Sequence, residues 1–142
     1  MTVEKGRGSR ILVVEDEALI AFDIADALEG FGCEVIGPVS TLERAFKVAR
    51  SGELDGAILD VTVRGGKTYP VAEELLSRGI PFLFASGHDD WALPTAMRAH
   101  PRLTKPFTRA ELEAQLRFLG IEIAKQIRDA QLADVRSQRP TN

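Results

Sequence analysis

The feature that most constrains the fold is an alternation repeated five times. Short apolar runs, rich in β-branched or aromatic residues, are separated by segments whose apolar residues recur at helical spacing. The predicted strands are residues 10–14 (RILVV), 34–39 (EVIGPV), 54–61 (LDGAILDV), 80–85 (IPFLFA) and 102–104 (RLT). Residues 17–30 read as the first helix, with Leu19, Ile20, Ile24, Ala25 and Leu28 inward and Gly30 closing it. Ser40 or Thr41 caps a second helix that runs to about Arg50. Pro70 suits the first turn of a third, which Gly79 ends. Residues 91–100 have a helical composition that Pro94 shortens. Thr108 and Glu111 form a capping box for the last helix, with Leu112, Leu116 and Leu119 on one face. RGGKTY and SGHDD read as loops. Strands alternating with helices mean an α/β fold. Strands apolar throughout mean a five-stranded parallel sheet with helices on both faces.

Composition excludes several function classes. The net charge is −3 over 142 residues, which argues against a nucleic-acid binder, since phosphate neutralisation needs clustered Lys and Arg. One cysteine, Cys33, leaves no disulfide framework, and two histidines, His88 and His100, are too few for a His-based zinc site. The start of the chain lacks the apolar core of a signal peptide, and no apolar run is long enough to span a bilayer. The expectation is a cytoplasmic protein without a membrane partner. Residues 1–9 read as a mobile tail, 10–120 as the folded domain, and 121–142 as a helical extension with a loose end.

In open parallel sheets, ligands bind beyond the carboxyl ends of the strands. The first strand runs into Glu15, Asp16 and Glu17; the third ends in Asp60; the fourth leads to Ser86; the fifth leads to Thr104 and Lys105. If the first and third strands are neighbours, Asp16 and Asp60 converge, flanked by Ser86 and Lys105. Crowded carboxylates repel at neutral pH, and a hard divalent cation relieves that. Mg²⁺ takes a few oxygen ligands and often shares its shell with a phosphate. A carboxylate is also a nucleophile towards phosphorus, and the resulting phosphoryl oxygens want donors and positive charge. The set reads as a Mg²⁺-dependent phosphoryl site. The plainer alternative for each residue alone is structural: Asp16 as an N-cap, and Glu15 and Glu17 as solvated charges at a helix start.

LVVEDE, AILDV, FLFASG and LTKPF, in that order, resemble the receiver domain of bacterial two-component response regulators, over about residues 10–120. The resemblance implies a sheet order of 2-1-3-4-5, the flavodoxin-like arrangement. It implies that Asp60 is a phosphoacceptor served by a histidine kinase or a histidine phosphotransfer protein. It places Mg²⁺ on Asp16 and Asp60, on Glu15 through water, and on the backbone carbonyl of Thr62. Ser86 matches the switch hydroxyl, Lys105 the phosphoryl-binding lysine, and Pro106 a proline whose peptide bond is usually cis. PFLFASGHDD also resembles the PFxFATGY variant of an α-proteobacterial subgroup, often stand-alone receivers served by kinases of the HWE or related classes.

The departures from the family pattern are specific. Arg102 stands where an aromatic switch residue is usual, Ser86 replaces the commoner Thr, and RGGKTYP replaces the usual Met-Pro. His88 fills the Tyr slot and reads as an exposed loop residue. Two rival readings remain: a phosphorylation-independent binding module, and a phosphohydrolase of the haloacid dehalogenase type. The second lacks an acid at Thr62, and its acidic pair would lie on the wrong side of the nucleophile. No DNA-binding output domain fits in residues 121–142, so the expectation is a single-domain, non-enzymatic regulator acting on a downstream protein. If Gly120 does not break the last helix, Ile123, Ile127 and Ala130 extend its stripe, and a second copy of the chain is a candidate to cover it.

Overall fold

The structure, a computed structural model, describes residues 8–87 and 100–123. The strands are β1 (Arg10–Val14), β2 (Glu34–Val39), β3 (Gly56–Leu59), β4 (Thr62–Val63), β5 (Gly66–Lys67), β6 (Phe82–Ser86) and β7 (Arg102–Thr104). The helices are α1 (Ala18–Gly30), α2 (Leu42–Ser51), α3 (Tyr69–Ser77) and α4 (Arg109–Phe118). Five strands form one parallel sheet in the order β2-β1-β3-β6-β7. With the β4–β5 hairpin set aside, this is the expected 2-1-3-4-5. No helix among the described residues is long and apolar enough to cross a membrane.

The pleat divides the core. Leu12 and Val14 pack with Ala57, Leu59, Phe82 and Phe84 beneath α2 and α3. Ile11 and Val13, one residue out of step, pack with Ile58, Leu83 and Leu103 beneath α1 and α4. Side chains alternate across a strand, so a run apolar at every position fills both layers at once.

Local signals act where the sequence placed them. Thr41 caps α2 by accepting from the Arg44 N–H at 3.3 Å. Thr108 accepts from the Glu111 N–H at 3.0 Å, and the Glu111 carboxylate accepts from the Thr108 N–H at 2.8 Å, closing the capping box. Five expectations need correcting. Leu19 is not inward: it is 82% exposed, and α1 buries Ala21, Ile24, Ala27 and Leu28 instead. With Ala21, Ile24, Ala27 and Leu28 on the buried face, Leu19 and Phe22 point outward. The third strand is shorter than 54–61, and RGGKTY is not simply a loop: Arg64 and Gly65 (φ 101°) make the turn of a β-hairpin, Gly66 and Lys67 return as its second strand, and Tyr69 opens α3.

The fourth correction concerns Gly120. It adopts φ 80°, Ile121 N–H donates to the Leu116 carbonyl, and Gly120 N–H donates to that of Arg117. This Schellman arrangement ends α4, so the stripe expected to pass through Gly120 is interrupted there. Ile121 instead turns into the core over Gly56, and Ile123 packs against the same cluster. Ser9, assigned to the tail by sequence, is tied down: its hydroxyl donates to the Glu122 carbonyl at 2.6 Å, and its carbonyl accepts from the Glu34 N–H. His88, residues 91–99 of the 91–100 segment, Ile127 and Ala130 lie outside the described residues.

Candidate phosphoryl and metal site

The parallel register brings the carboxyl ends of four strands to one edge. Val14 pairs with Leu59, and the Asp60 N–H donates to the Val14 carbonyl at 2.9 Å. The Lys105 N–H donates to the Ser86 carbonyl at 2.8 Å. Backbone pairing thereby sets residues far apart in sequence side by side.

Asp60 is buried, and both its oxygens are engaged. Oδ1 accepts from the Ser86 hydroxyl at 3.1 Å and from the Thr62 N–H at 3.2 Å. Oδ2 accepts from Lys105 Nζ at 3.0 Å. Lys105 Nζ also lies 2.6 Å from Glu15 Oε1. Glu15 is 2% exposed, and its Oε2 accepts from the Glu17 N–H at 3.1 Å. Glu17 occupies the N-cap of α1 rather than its first turn, and no side chain caps this helix. The capping role open to Asp16 is therefore not used.

Burial pushes the Glu15 carboxyl up to about 7, Asp60 adds to the rise, and Lys105 opposes it. For Lys105, burial disfavours the ammonium, but the hydrogen bonds and charges of Glu15 and Asp60 outweigh it and raise its pKa. Among the described residues, three carboxylates thus face one ammonium, and the imbalance is greatest at the most deeply buried acid.

That imbalance is what a divalent cation would correct. Glu15, Asp16 and Asp60 each offer an oxygen, all within 4.8 Å of one another. Among the described residues, Glu15 Oε1 is buried without an aligned hydrogen bond, and its charge is met by the Lys105 ion pair. An all-oxygen donor set on one side of a cleft fits Mg²⁺. The cleft, about 850 Å³, runs from Asp60 and Thr62 along α1 past Ile20 and Ile24 to Phe107.

The sequence reading missed Thr68. Its fully buried hydroxyl donates to the Asp60 carbonyl at 2.6 Å and lies 3.3 Å from that of Val61. It clamps the hairpin onto the backbone of Asp60. A threonine just before a predicted helix is an ordinary cap signal, and only the hairpin's return gives it this job.

The geometry defines an α/β domain with a carboxylate, hydroxyl and ammonium gathered at the topological edge of a 2-1-3-4-5 sheet. No family model matches the chain. It is 33% identical over 111 residues to the phyllosphere-induced regulator PhyR of Methylorubrum extorquens, a match spanning 75% of this chain and 41% of PhyR. The solution structure of SdrG from Sphingomonas melonis Fr1 superposes with a TM-score of 0.73 at 43% identity, covering 80% of this chain and 97% of that one. The receiver domain of the sensor histidine kinase PA1611 from Pseudomonas aeruginosa PAO1, which has magnesium coordinated in its active-site cleft, superposes at 0.66 with 24% identity over 80% and 98%. The chain belongs to the CheY-like receiver domains of two-component response regulators.

Proposed function

We propose that Asp60 accepts a phosphoryl group from a phosphohistidine of a kinase or phosphotransfer protein. The phosphorus–nitrogen bond breaks, an Asp60 oxygen–phosphorus bond forms, and the imidazole leaves with the electron pair. The observation that carries this reading is the Asp60 carboxylate itself, oriented through both oxygens by Ser86, Thr62 and Lys105 and open to a cleft. Lys105 holds positive charge where phosphoryl oxygens would arrive, and Ser86 offers its hydroxyl from the opposite oxygen of Asp60. Asp16, Asp60 and the Thr62 carbonyl would hold Mg²⁺, with Glu15 contributing through water. When bound, Mg²⁺ would neutralise negative charge on the transferring group.

The output is protein contact or phosphate shuttling, driven by the roughly −1.5 to −2 charge that a phosphoryl group adds. Leu19 and Phe22, 82% and 67% exposed on α1, offer a partner an apolar surface. The haloacid-dehalogenase reading is not favoured: Thr62, not an acid, stands two residues after Asp60, and its hydroxyl accepts from Lys67.

Incubation with Mg²⁺ and labelled acetyl phosphate, or with a phosphorylated kinase, tests the proposal. Wild type should carry acid-stable, base-labile label, and Asp60→Ala none. Label persisting on Asp60→Ala would sink it.

A further inference from the structure

Thr68 stands at the N-cap of α3, where a threonine hydroxyl ordinarily accepts from an N–H of the first turn. Here it makes no such bond. The side chain is wholly buried, and its hydroxyl donates backwards to the Asp60 carbonyl at 2.6 Å. The Thr68 N–H donates to the Val61 carbonyl at 2.9 Å, and the hydroxyl lies 3.3 Å from that same oxygen. One residue therefore holds two successive carbonyls, those of the proposed phosphoacceptor and of its neighbour. From the other side, the Val14 carbonyl holds the Asp60 N–H at 2.9 Å.

Peptide planarity carries that hold to the carboxylate. The Val61 carbonyl and the Thr62 N–H belong to one planar trans unit and point in opposite directions. With the carbonyl fixed on Thr68, the N–H is aimed the other way, and it donates to Asp60 Oδ1 at 3.2 Å. The Ser86 hydroxyl donates to the same oxygen at 3.1 Å, and Lys105 Nζ donates to Oδ2 at 3.0 Å. Of these donors, the Thr62 N–H is the one whose direction Thr68 sets. Orientation matters for a nucleophile, since a misplacement of about 1 Å can cost on the order of a hundred-fold in rate.

We propose that Thr68 is a positioning residue for phosphotransfer. Through the Asp60 and Val61 carbonyls it holds the Thr62 N–H on Asp60 Oδ1, and so keeps the carboxylate in the orientation from which it attacks. The inference rests on Asp60 being the phosphoacceptor. With acetyl phosphate, the bond between the bridging oxygen and phosphorus breaks, the Asp60 oxygen–phosphorus bond forms, and acetate leaves with the electron pair. Thr68 neither gives nor takes a proton in that step; buried behind the Asp60 backbone, it acts only through its neighbours.

The test pairs two readouts on folded protein, well below its melting temperature. One is the rate of labelling by acetyl phosphate with Mg²⁺. The other, taken without metal, is the position of the Thr62 amide in the nitrogen–proton correlation spectrum. Thr68→Val keeps the backbone bond to Val61 but not the hydroxyl. It should label about five- to ten-fold more slowly than wild type, with the Thr62 amide proton moved upfield as its hydrogen bond weakens. Thr68→Ser, which retains the donor, should stay within about two-fold in rate and restore the amide position. Thr68→Cys, a weaker donor, should fall between the two, and it carries the test where Thr68→Val fails to fold. Ile121→Ala loosens the core at the opposite end of β3, over Gly56, and should label at the wild-type rate. A wild-type rate and an unmoved Thr62 amide in Thr68→Val, or in Thr68→Cys where it stands in, overturn the proposal. So does a matching loss in Ile121→Ala, which would assign the slowing to instability. Absence of label on wild type would instead overturn the reading of Asp60, and this inference with it.

Discussion

Lys105 Nζ lies 2.6 Å from Glu15 Oε1, an ion pair between the residue after β7 and the residue after β1. The pair is nearly dry: the Glu15 side chain is 1% exposed and that of Lys105 13%. A charge held this way is costly unless its neighbours compensate, and here the same ammonium also serves Asp60.

Stability should therefore depend on pH through Glu15. Its folded pKa, about 7, lies above its ordinary 4.5, so between these values the folded chain binds more protons than the unfolded one. The resulting stabilisation is complete below pH 4.5 and is lost as pH rises through 7. Urea unfolding without divalent cations should show a loss on the order of 2–3 kcal/mol from pH 4.5 to 8. Glu15→Gln should flatten that part of the profile, and Mg²⁺ should restore stability at pH 8. A Glu15→Gln profile parallel to wild type would refute the assignment.

Thr68→Val keeps the volume of the side chain but leaves the Asp60 carbonyl without its buried donor. It should cost about 1–3 kcal/mol in urea denaturation. Thr68→Ser, which retains the hydroxyl, should recover most of the loss. Equal losses in the two variants would assign the effect to packing.

Ile121→Ala should cost about 2–4 kcal/mol, because Ile121 is 6% exposed within the α1–α4 core. A chain cut at Gly120 should be destabilised similarly. A melting temperature unchanged by Ile121→Ala would show that the core closes without it.

Burial, with a smaller contribution from Asp55, pushes the Cys33 thiol up to about 11 from 9.0. At pH 8 only about one molecule in a thousand would carry the reactive thiolate. Alkylation of the folded chain should be slow and should accelerate sharply in urea. Because the folded pKa is the higher one, this group's contribution to stability is lost as pH rises from 9 through 11, and Cys33→Ala should remove that loss. Rapid alkylation without denaturant would contradict the burial.

Much of the fold was legible locally. The capping box at Thr108 and Glu111, the Thr41 cap and the proline opening α3 are signals spanning a few residues, and each acts as read. The misreadings share a cause. The spacing of α1 fits a face containing Leu19 as well as the face actually buried, and only contact with the sheet chooses between them. The RGGKTY segment carries loop residues, yet Thr62 and Lys67 pair because Thr68 and Arg64 anchor the segment on both sides. Ile123 continues a helical spacing on paper, but Gly120 reverses the chain and delivers Ile121 to the core.

The sequence by itself determined the α/β class, the five parallel strands and the residue types at their ends, because these follow from periodicity and chain chemistry over short spans. It placed Glu15, Asp16, Asp60, Ser86 and Lys105 at strand ends without saying which would touch. The tertiary structure decided that Lys105 bridges Glu15 and Asp60, that Thr68 clamps the Asp60 backbone, and that Lys67 stands beside the site. Those contacts depend on register, and a slip of one residue turns every side chain of a strand to the other face. Only the assembled sheet and its packed helices fix that register.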